Sequence, residues 1–412
     1  MHIKLLTIST LYPFPGCERH GVFVETRLRQ LMTRYPNVQA KVIAPVPWFP
    51  FKSPLFGEYA KYAGVPDVEI RNGIEVFHPR YTVIPKVGWQ LTPFFIKRAI
   101  TRQLRKLIIS DYIPDLIDGH YFYPDGVAIK HVAQNFGIPF TCTARGTDIN
   151  LIPQYPRPKN AILSVMASSK HNMAVCGALR EAMIGIGGEP EKITTLRNGV
   201  DLSLFPFVRE DAQRSLRNEL GLPNDAPVLL SVGHLIERKG HHLVIDALTS
   251  LSKAVLVIAG DGEASARLRK QVELSGLSDR VIFTGALRQE QLAKYYGAAN
   301  ALVLASSREG WANVLLEAMA CGTPVVATNL WGTPEVVASP EAGVLVDRNA
   351  AAIARGIQEL LAFPPERFAT RRYAEQFSWD ETSDLQMKIF EAILNGQEVG
   401  QRVLSGNVRV TL

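Results

Sequence analysis

Cysteine is scarce in this sequence. Its 412 residues hold four, Cys17, Cys142, Cys176 and Cys321, far apart and never as a C-x-x-C pair. Such spacing suits a reducing cytoplasm better than a disulfide or zinc framework. No run of eighteen uncharged apolar residues occurs, so no transmembrane helix is expected. The opening Met-His-Ile-Lys-Leu-Leu-Thr-Ile-Ser-Thr has too short and interrupted an apolar core for a secretory signal, and no small-residue cleavage site follows. It reads instead as a first buried strand. Repeats and low-complexity tracts are also missing. A Gly-x-Gly-x-x-Gly after a strand, with an acidic residue about twenty further on, is found in neither half, which excludes a nicotinamide dehydrogenase. What remains is a chain with 47% apolar and 20% charged residues, a balance that excludes disorder, coiled coil and collagen. Its length allows two to three domains, each with its own core.

The charge is unevenly placed. Residues 1–200 carry 24 Lys and Arg against 14 Asp and Glu, whereas residues 201–412 carry 21 against 25. The overall +6 is therefore a basic first half joined to a mildly acidic second. A basic half is expected to meet something anionic, such as a phosphate or a membrane surface, unless it is simply a solvated face. Nucleic acid is not an expected partner, because no recognition motif accompanies the charge. The run from Lys97 through Arg98, Arg102 and Arg105 to Lys106 alternates with Ile100, Leu104 and Leu107 at helical spacing. It could lie on an anionic leaflet or pack by its apolar stripe.

Both halves alternate short β-rich runs with amphipathic stretches, the pattern of parallel sheets wrapped by helices. The first half offers strands at Ile3–Ser9, Ala40–Ala44, Leu116–Asp118 and Phe140–Thr143, and helices at Val22–Arg34, Phe94–Ile109 and Gly126–Phe136. The second offers strands at Val228–Val232, Ala254–Ala259, Val281–Thr284, Ala301–Leu304 and Pro324–Ala327. The stretch Phe205–Pro227 has the charge and prolines of an inter-domain connection. Pro45–Pro66, rich in Pro, Trp and Phe, is expected to be a lid, a binding surface or an apolar cover. Ligands of such sheets bind outside the carboxyl ends of the strands, so function is expected at strand–helix turns.

The strongest local signal runs from Ser306 to Ala327. A strand ending near Leu304 leads into a polar turn with Glu309 and Gly310. A helix over about Ala312–Ala320 then stops at Gly322, and a strand follows Pro324. Unpaired amides at a helix start favour a diphosphate. Glu309 lies just before that helix and Glu317 about one and a half turns inside it, so the two can meet opposite ends of one ligand. Carboxylates suit hydroxyl-rich ligands because they accept from vicinal OH groups.

That Glu-x7-Glu pattern, with its Glu-Ala-Met-Ala-Cys-Gly-Thr-Pro-Val-Val tail, resembles the retaining nucleotide-sugar glycosyltransferases of family 4. Further landmarks follow in the family's order: Gly233-His234-Leu235-Ile236-Glu237-Arg238-Lys239-Gly240, Ala259-Gly260-Asp261-Gly262, Gly285-Ala286-Leu287, and Asn198-Gly199-Val200-Asp201 before Phe205. In the first half, Gly16 and Gly21 stand where the family has its glycine-rich first loop, and His120 matches its acceptor-side histidine. Thr143-Ala144-Arg145-Gly146-Thr147-Asp148 and His-Leu-Ile-Glu-Arg-Lys-Gly are similar to a teichuronic-acid-type branch.

The resemblance implies an α/β GT-B fold, two Rossmann-like parallel-sheet domains facing across a deep cleft. Residues 1–204 would form the acceptor-side domain, with a C-terminal helix at about 380–396 packing back onto it. Residues 205–379 would bind the nucleotide sugar. Glu317 would accept from the donor ribose and Glu309 from the donor sugar. Gly310, Trp311 and the amides of Asn313, Val314 and Leu315 would surround the sugar and diphosphate. Lys239 would stabilise the leaving phosphate, Leu287 would border the base, and Gly21, Gly233 and Asp261 would complete the donor site. His120 would contact the donor sugar and help position the acceptor, with Arg145 and Asp148 on the acceptor. One departure stands out: His234 replaces the family's usual Arg, and Arg238 is the candidate to restore the charge.

The reaction expected is metal-independent, retaining transfer from a nucleoside diphosphate sugar, UDP-linked, to a hydroxyl of a glycan or lipid-linked glycan. No cofactor is expected, and the adjacent His241 and His242 lack the acidic partners of a metal site. The expected location is cytoplasmic or peripheral on the inner face of the membrane. A GT-B sugar-nucleotide 2-epimerase and a non-catalytic glycan-binding relative are the alternatives.

Overall fold

The computed structural model describes residues 2–53, 55, 59–84 and 90–400. The chain forms two compact units. One comprises the residues up to Arg197 together with the chain from Trp379 onward, and the other runs from Asn198 to Ser378.

Among the described residues, the first unit holds an eight-stranded sheet. Its order is Ile193–Thr195, His171–Ala174, Phe140–Ala144, Leu116–His120, Ile3–Ile8, Val38–Ile43, Ile74–Phe77 and Val68–Arg71. All neighbours are parallel except the last pair, an antiparallel hairpin that the sequence reading missed. Leu116–His120 and Phe140–Ala144 are buried along their whole length, as strands covered by helices on both faces must be. The Thr92–Ile109 helix starts with Pro93 in its first turn. It buries Ile96, Ile100, Leu104 and Leu107 and leaves Arg98, Arg102 and Arg105 in solvent, the 3.6-residue stripe of a surface helix.

The C-terminal helix Trp379–Leu394 belongs to this unit. Met387 and Phe390 enter the core beside Leu28 and Leu31 of the Val22–Arg34 helix. Asp384 closes the contact, accepting from Arg34 at 3.0 and 3.1 Å and from the Tyr35 hydroxyl at 2.7 Å.

The second unit holds six parallel strands among its described residues, in the order Val281–Gly285, Val255–Ala259, Val228–Val232, Ala301–Leu304, Val325–Thr328 and Gly343–Val346. Its core gathers Leu229, Leu256, Ile258 and Val303 with Val244, Leu248 and Ile357 from the covering helices.

Two sequence expectations are corrected here. Phe205–Pro227 is not merely a connection, because Glu210–Leu220 is a helix packed into the second unit. Arg217 donates to the Ala298 carbonyl at 2.9 Å and to Asn300 Oδ1 at 2.6 Å, and Gln213 donates to the Ala299 carbonyl. An arginine and a glutamine that cap a helix end read as solvated residues in a sequence. The described part of Pro45–Pro66 is also ordered into a short strand, Val46–Pro47, paired with Arg80–Tyr81, and a helix at Tyr59–Ala63. Val46 and Val65 bury Phe14, yet Trp48, Phe51 and Tyr59 face solvent. Residues 54 and 56–58 of that segment lie outside the described residues.

Candidate active site

In the second unit the site is built on the carboxyl ends of Val228–Val232 and Ala301–Leu304. After Val232, the Gly233 amide donates to the Ala259 carbonyl at 3.0 Å, and Leu235 donates to the Asp261 carbonyl at 2.9 Å. These bonds lay the Gly233–Gly240 turn against the exposed Asp261 turn. Gly240 sits at φ 72°, and a Cβ there would overlap the Ala305 carbonyl. Only glycine allows this turn to press against the end of the neighbouring strand.

That close approach delivers Lys239 to Glu309. Its ammonium donates to Glu309 Oε1 at 2.6 Å, and the buried Ser306 hydroxyl donates to the same oxygen at 2.6 Å. Arg238 lies 3.9 Å from Glu309 Oε2 and donates to the Arg308 carbonyl at 2.7 Å. Adjacent in sequence, Arg238 and Lys239 thus converge on one carboxylate, while His234 is exposed. Burial would raise the Glu309 pKa, but Lys239, Ser306 and Arg238 together hold it below the ordinary value. Glu309 is anionic at neutral pH and accepts hydrogen bonds only.

The helix after the turn spans Asn313–Ala320 and carries no side-chain cap. The Asn313 amide donates to the Trp311 carbonyl at 3.1 Å and the Leu315 amide to the Ala312 carbonyl at 3.0 Å. Two of the three amides expected to surround a diphosphate are therefore already satisfied by the turn itself, and the Leu315 side chain is fully buried. Gly310 and Trp311 are buried as well, the indole 5.9 Å from the Phe377 ring. Asn198 donates to Asn313 Oδ1 at 3.2 Å. Val314 and Leu287 are half-buried, Leu287 just past the Val281–Gly285 strand.

Glu317, one turn further into the helix, accepts from the Tyr296 hydroxyl at 2.8 Å. Burial of its carboxyl pushes the pKa up to about 7, against the lowering effect of that bond. Each glutamate is oriented by a hydroxyl: Tyr296, which no local pattern marks, bonds Glu317, and Ser306, at the start of the Ser306–Ala327 signal, bonds Glu309 in a contact the linear sequence does not show.

In the first unit, Gly21 begins the Val22–Arg34 helix at φ 66°, where a Cβ would overlap the Leu11 backbone. His120 ends its strand and is 1% exposed. Arg145 donates to its Nδ1 at 2.7 Å, so Nδ1 carries no proton and Nε2–H faces Asp118 Oδ2 at 3.3 Å. Burial, reinforced by Arg145 and opposed by Asp118, lowers the His120 pKa to about 4. Both ring nitrogens are thus engaged inside the unit. Arg145 is half-buried and lies 5.2 Å over the Phe23 ring.

Asp118 is itself held by Thr141 at 3.1 Å and by Gln386 at 3.1 Å, and Gln386 accepts from the buried Arg27 at 2.9 Å. Asp148 corrects the expectation of an acceptor ligand. It is fully buried, and its oxygens accept from the amides of Phe122, Arg145 and Gly146 at 2.8–3.1 Å. It shapes the two loops beside His120 rather than reaching out from them.

Residues 212–377 match the family described as glycosyl transferases group 1, and residues 33–204 match glycosyltransferase family 4. A Bacillus subtilis protein, described as "Putative teichuronic acid biosynthesis glycosyltransferase TuaC", is 30% identical over 86% of this chain and 88% of its own length. The chain belongs to the family 4 glycosyltransferases. A second member, a D-inositol 3-phosphate glycosyltransferase of Xylanimonas cellulosilytica, is 30% identical over 67% of this chain and 71% of its own.

Among solved structures, sucrose-phosphate synthase from Thermosynechococcus elongatus superposes with a TM-score of 0.79 at 22% identity, covering 96% of this chain and 100% of the other. Anabaena HepE in complex with UDP-glucose superposes with a TM-score of 0.70 at 20% identity, over 96% and 100% of the two chains. The fold of this family 4 enzyme is GT-B. Among its described residues no helix is long and apolar enough to cross a membrane, and no three His, Cys, Asp or Glu side chains are grouped to hold a metal ion.

Proposed function

We propose that the enzyme moves a hexosyl unit from a UDP-linked sugar to a hydroxyl of a glycan or lipid-linked glycan in polysaccharide biosynthesis. The configuration at the anomeric carbon is retained, and no metal takes part. The observation that carries this reading is the Lys239–Glu309 pair at 2.6 Å, set in the turn before the Asn313–Ala320 helix. Anionic Glu309 accepts from donor-sugar hydroxyls, and the remaining N–H groups of Lys239 meet the diphosphate as negative charge develops on it. Glu317 accepts from the ribose. The UDP and UDP-glucose complexes of Anabaena HepE and the description of TuaC support the choice of donor and pathway class.

Double displacement needs a carboxylate free to attack the anomeric carbon. Glu309 already bonds Lys239 and Ser306, which favours front-face substitution instead. The bond from the anomeric carbon to the phosphate oxygen breaks as the bond to the acceptor oxygen forms on the same face. The acceptor proton passes to the departing phosphate oxygen. The products are the glycoside and UDP. The enzyme works in the cytoplasm or at the inner face of the membrane.

A thermal-shift screen across UDP-, GDP- and ADP-sugars, followed by proton NMR of the product's anomeric signal, tests the proposal. Stabilisation by a UDP-sugar and a retained anomer are expected. An inverted anomer, or epimerisation of the free UDP-sugar without acceptor, overturns it.

A further inference from the structure

The first unit contains a cavity of about 300 Å3 that no part of the donor site uses. That volume is at the lower edge of small-molecule sites, ~300–1,000 Å3. It opens between the Thr92–Ile109, Val127–Phe136 and Pro156–Ser168 helices, and Tyr123 on the turn after His120 forms part of its wall. The turn is anchored by the bond from the Phe122 amide to Asp148 at 2.9 Å.

The lining has two characters. Lys97 and Arg157 supply two cations, and no Asp or Glu is among the described lining residues. Lys97 lies 5.2 Å over the Phe94 ring, and Arg157 donates to Gln90 at 3.0 Å, so both heads are placed rather than freely solvated. His131, lowered by burial and by Lys130 and Lys97, adds a neutral polar edge at pH 7. Gln90 and Tyr123 add an amide and a phenol, and the remaining lining residues, Pro93, Phe94, Val127, Pro158 and Ala161, are apolar. At its rim the lining residue Phe94 is 47% exposed, and Leu91 and Tyr155, near Gln90 and Arg157 in the chain, are 51% and 52% exposed. Arg98, Arg102 and Arg105, on the same helix as Lys97, do not line the cavity.

We propose that this cavity is an acceptor subsite for an amphipathic phosphate, whose anionic head sits between Lys97 and Arg157 and whose apolar part lies over Phe94 and the rim. Two cations with no opposing carboxylate among the described lining residues match the negative charge of the phosphate or diphosphate that joins a lipid to a glycan. A fully hydroxylated ligand would leave hydroxyls unpaired over Phe94, Val127 and Pro158, which costs free energy for every unpaired group. The inference deepens the proposed transfer to a lipid-linked glycan and rests on that reading for its biological sense. The binding it describes is measurable without any transfer.

Decyl phosphate below its micelle concentration, decanol, inorganic phosphate and glucose 1-phosphate are titrated into the full chain by calorimetry. Decyl phosphate is expected to bind at least tenfold more tightly than the other three. Lys97→Gln with Arg157→Gln is expected to weaken it at least tenfold, Lys97→Arg to retain it, and Arg98→Gln with Arg102→Gln to change it less than twofold. Circular dichroism confirms that each variant is folded.

Equal binding of decanol shows an apolar cavity only, and equal binding of glucose 1-phosphate or inorganic phosphate shows a general anion site. Either result overturns the proposal, as does a larger loss in the Arg98 and Arg102 variant. UDP-glucose is titrated separately. If it binds while decyl phosphate does not, the subsite fails and the transferase reading stands. If UDP-glucose does not bind, the donor reading fails, whatever the cavity does.

Discussion

Lys239 and Glu309 are 70 residues apart in the chain and 2.6 Å apart in the fold. The pair joins the turns after two neighbouring strands, and it places a cation and an anion at one point of the donor-side unit. Replacing Lys239 with Ala removes the charge that would meet the leaving phosphate. The expected loss is on the order of 10²-fold in kcat, as for removal of one donor to a developing charge, with a much smaller rise in the donor KM. Steady-state kinetics on UDP-sugar turnover check the split. A change confined to KM would mean that Lys239 binds the ground state only.

Glu317 carries the second expectation. Its pKa is raised to about 7 by burial, and ribose hydroxyls donate to the carboxylate but not to both oxygens of the acid. Ligand binding therefore favours the ionised form. UDP-glucose affinity should climb as pH rises through 7 and level off above it, by up to about tenfold per pH unit below the pKa. Glu317→Gln should bind weakly, by roughly 1–3 kcal/mol for acceptors lost from buried donors, and should show a flat profile. Calorimetry from pH 5.5 to 8.5 reads both, and a flat wild-type profile would refute the role.

His120 makes a prediction about stability. Its folded pKa is about 4, below the ordinary 6.5, chiefly through burial. Between those values the unfolded chain binds more protons than the folded one, so stability rises with pH across that window. The contribution is fully present above pH 6.5 and is lost as pH falls toward 4. His120→Gln does not titrate. The wild type's margin over that variant should grow by more than about 1 kcal/mol from pH 4.5 to 6.5, since one pKa unit corresponds to ~1.4 kcal/mol. Urea unfolding at several pH values measures it, and a constant margin would count against the buried neutral ring.

Transfer should persist in EDTA. Lys239 and Arg238 gather at Glu309, and in the proposed mechanism these cations supply what a divalent ion supplies elsewhere. Complete loss of activity on chelation, restored by Mg2+ or Mn2+, would sink the metal-free proposal.

Much of this was legible in the linear chain because it is written locally. The Val228–Val232 and Ala301–Leu304 strands are short apolar runs, and Glu309 and Glu317 announce themselves by their spacing across a helix start. The Val68–Arg71 and Ile74–Phe77 hairpin was missed although its signal is local, two alternating runs joined by Asn72-Gly73. The Glu210–Leu220 helix was missed because its buried anchors are polar.

The sequence by itself determined the fold class, the family and the positions where carboxylates and cations could do chemistry. These depend on periodicity and on short motifs, whose physics acts over a few residues. Only the tertiary structure decided what those side chains hold. It turned Asp148 inward onto three backbone amides, occupied both nitrogens of His120, set Tyr296 on Glu317, and brought Gln386 from the C-terminal helix to Asp118. Hydrogen bonds act over about 3 Å, and residues separated by up to 359 positions come within that distance only once the sheets and their helices have packed.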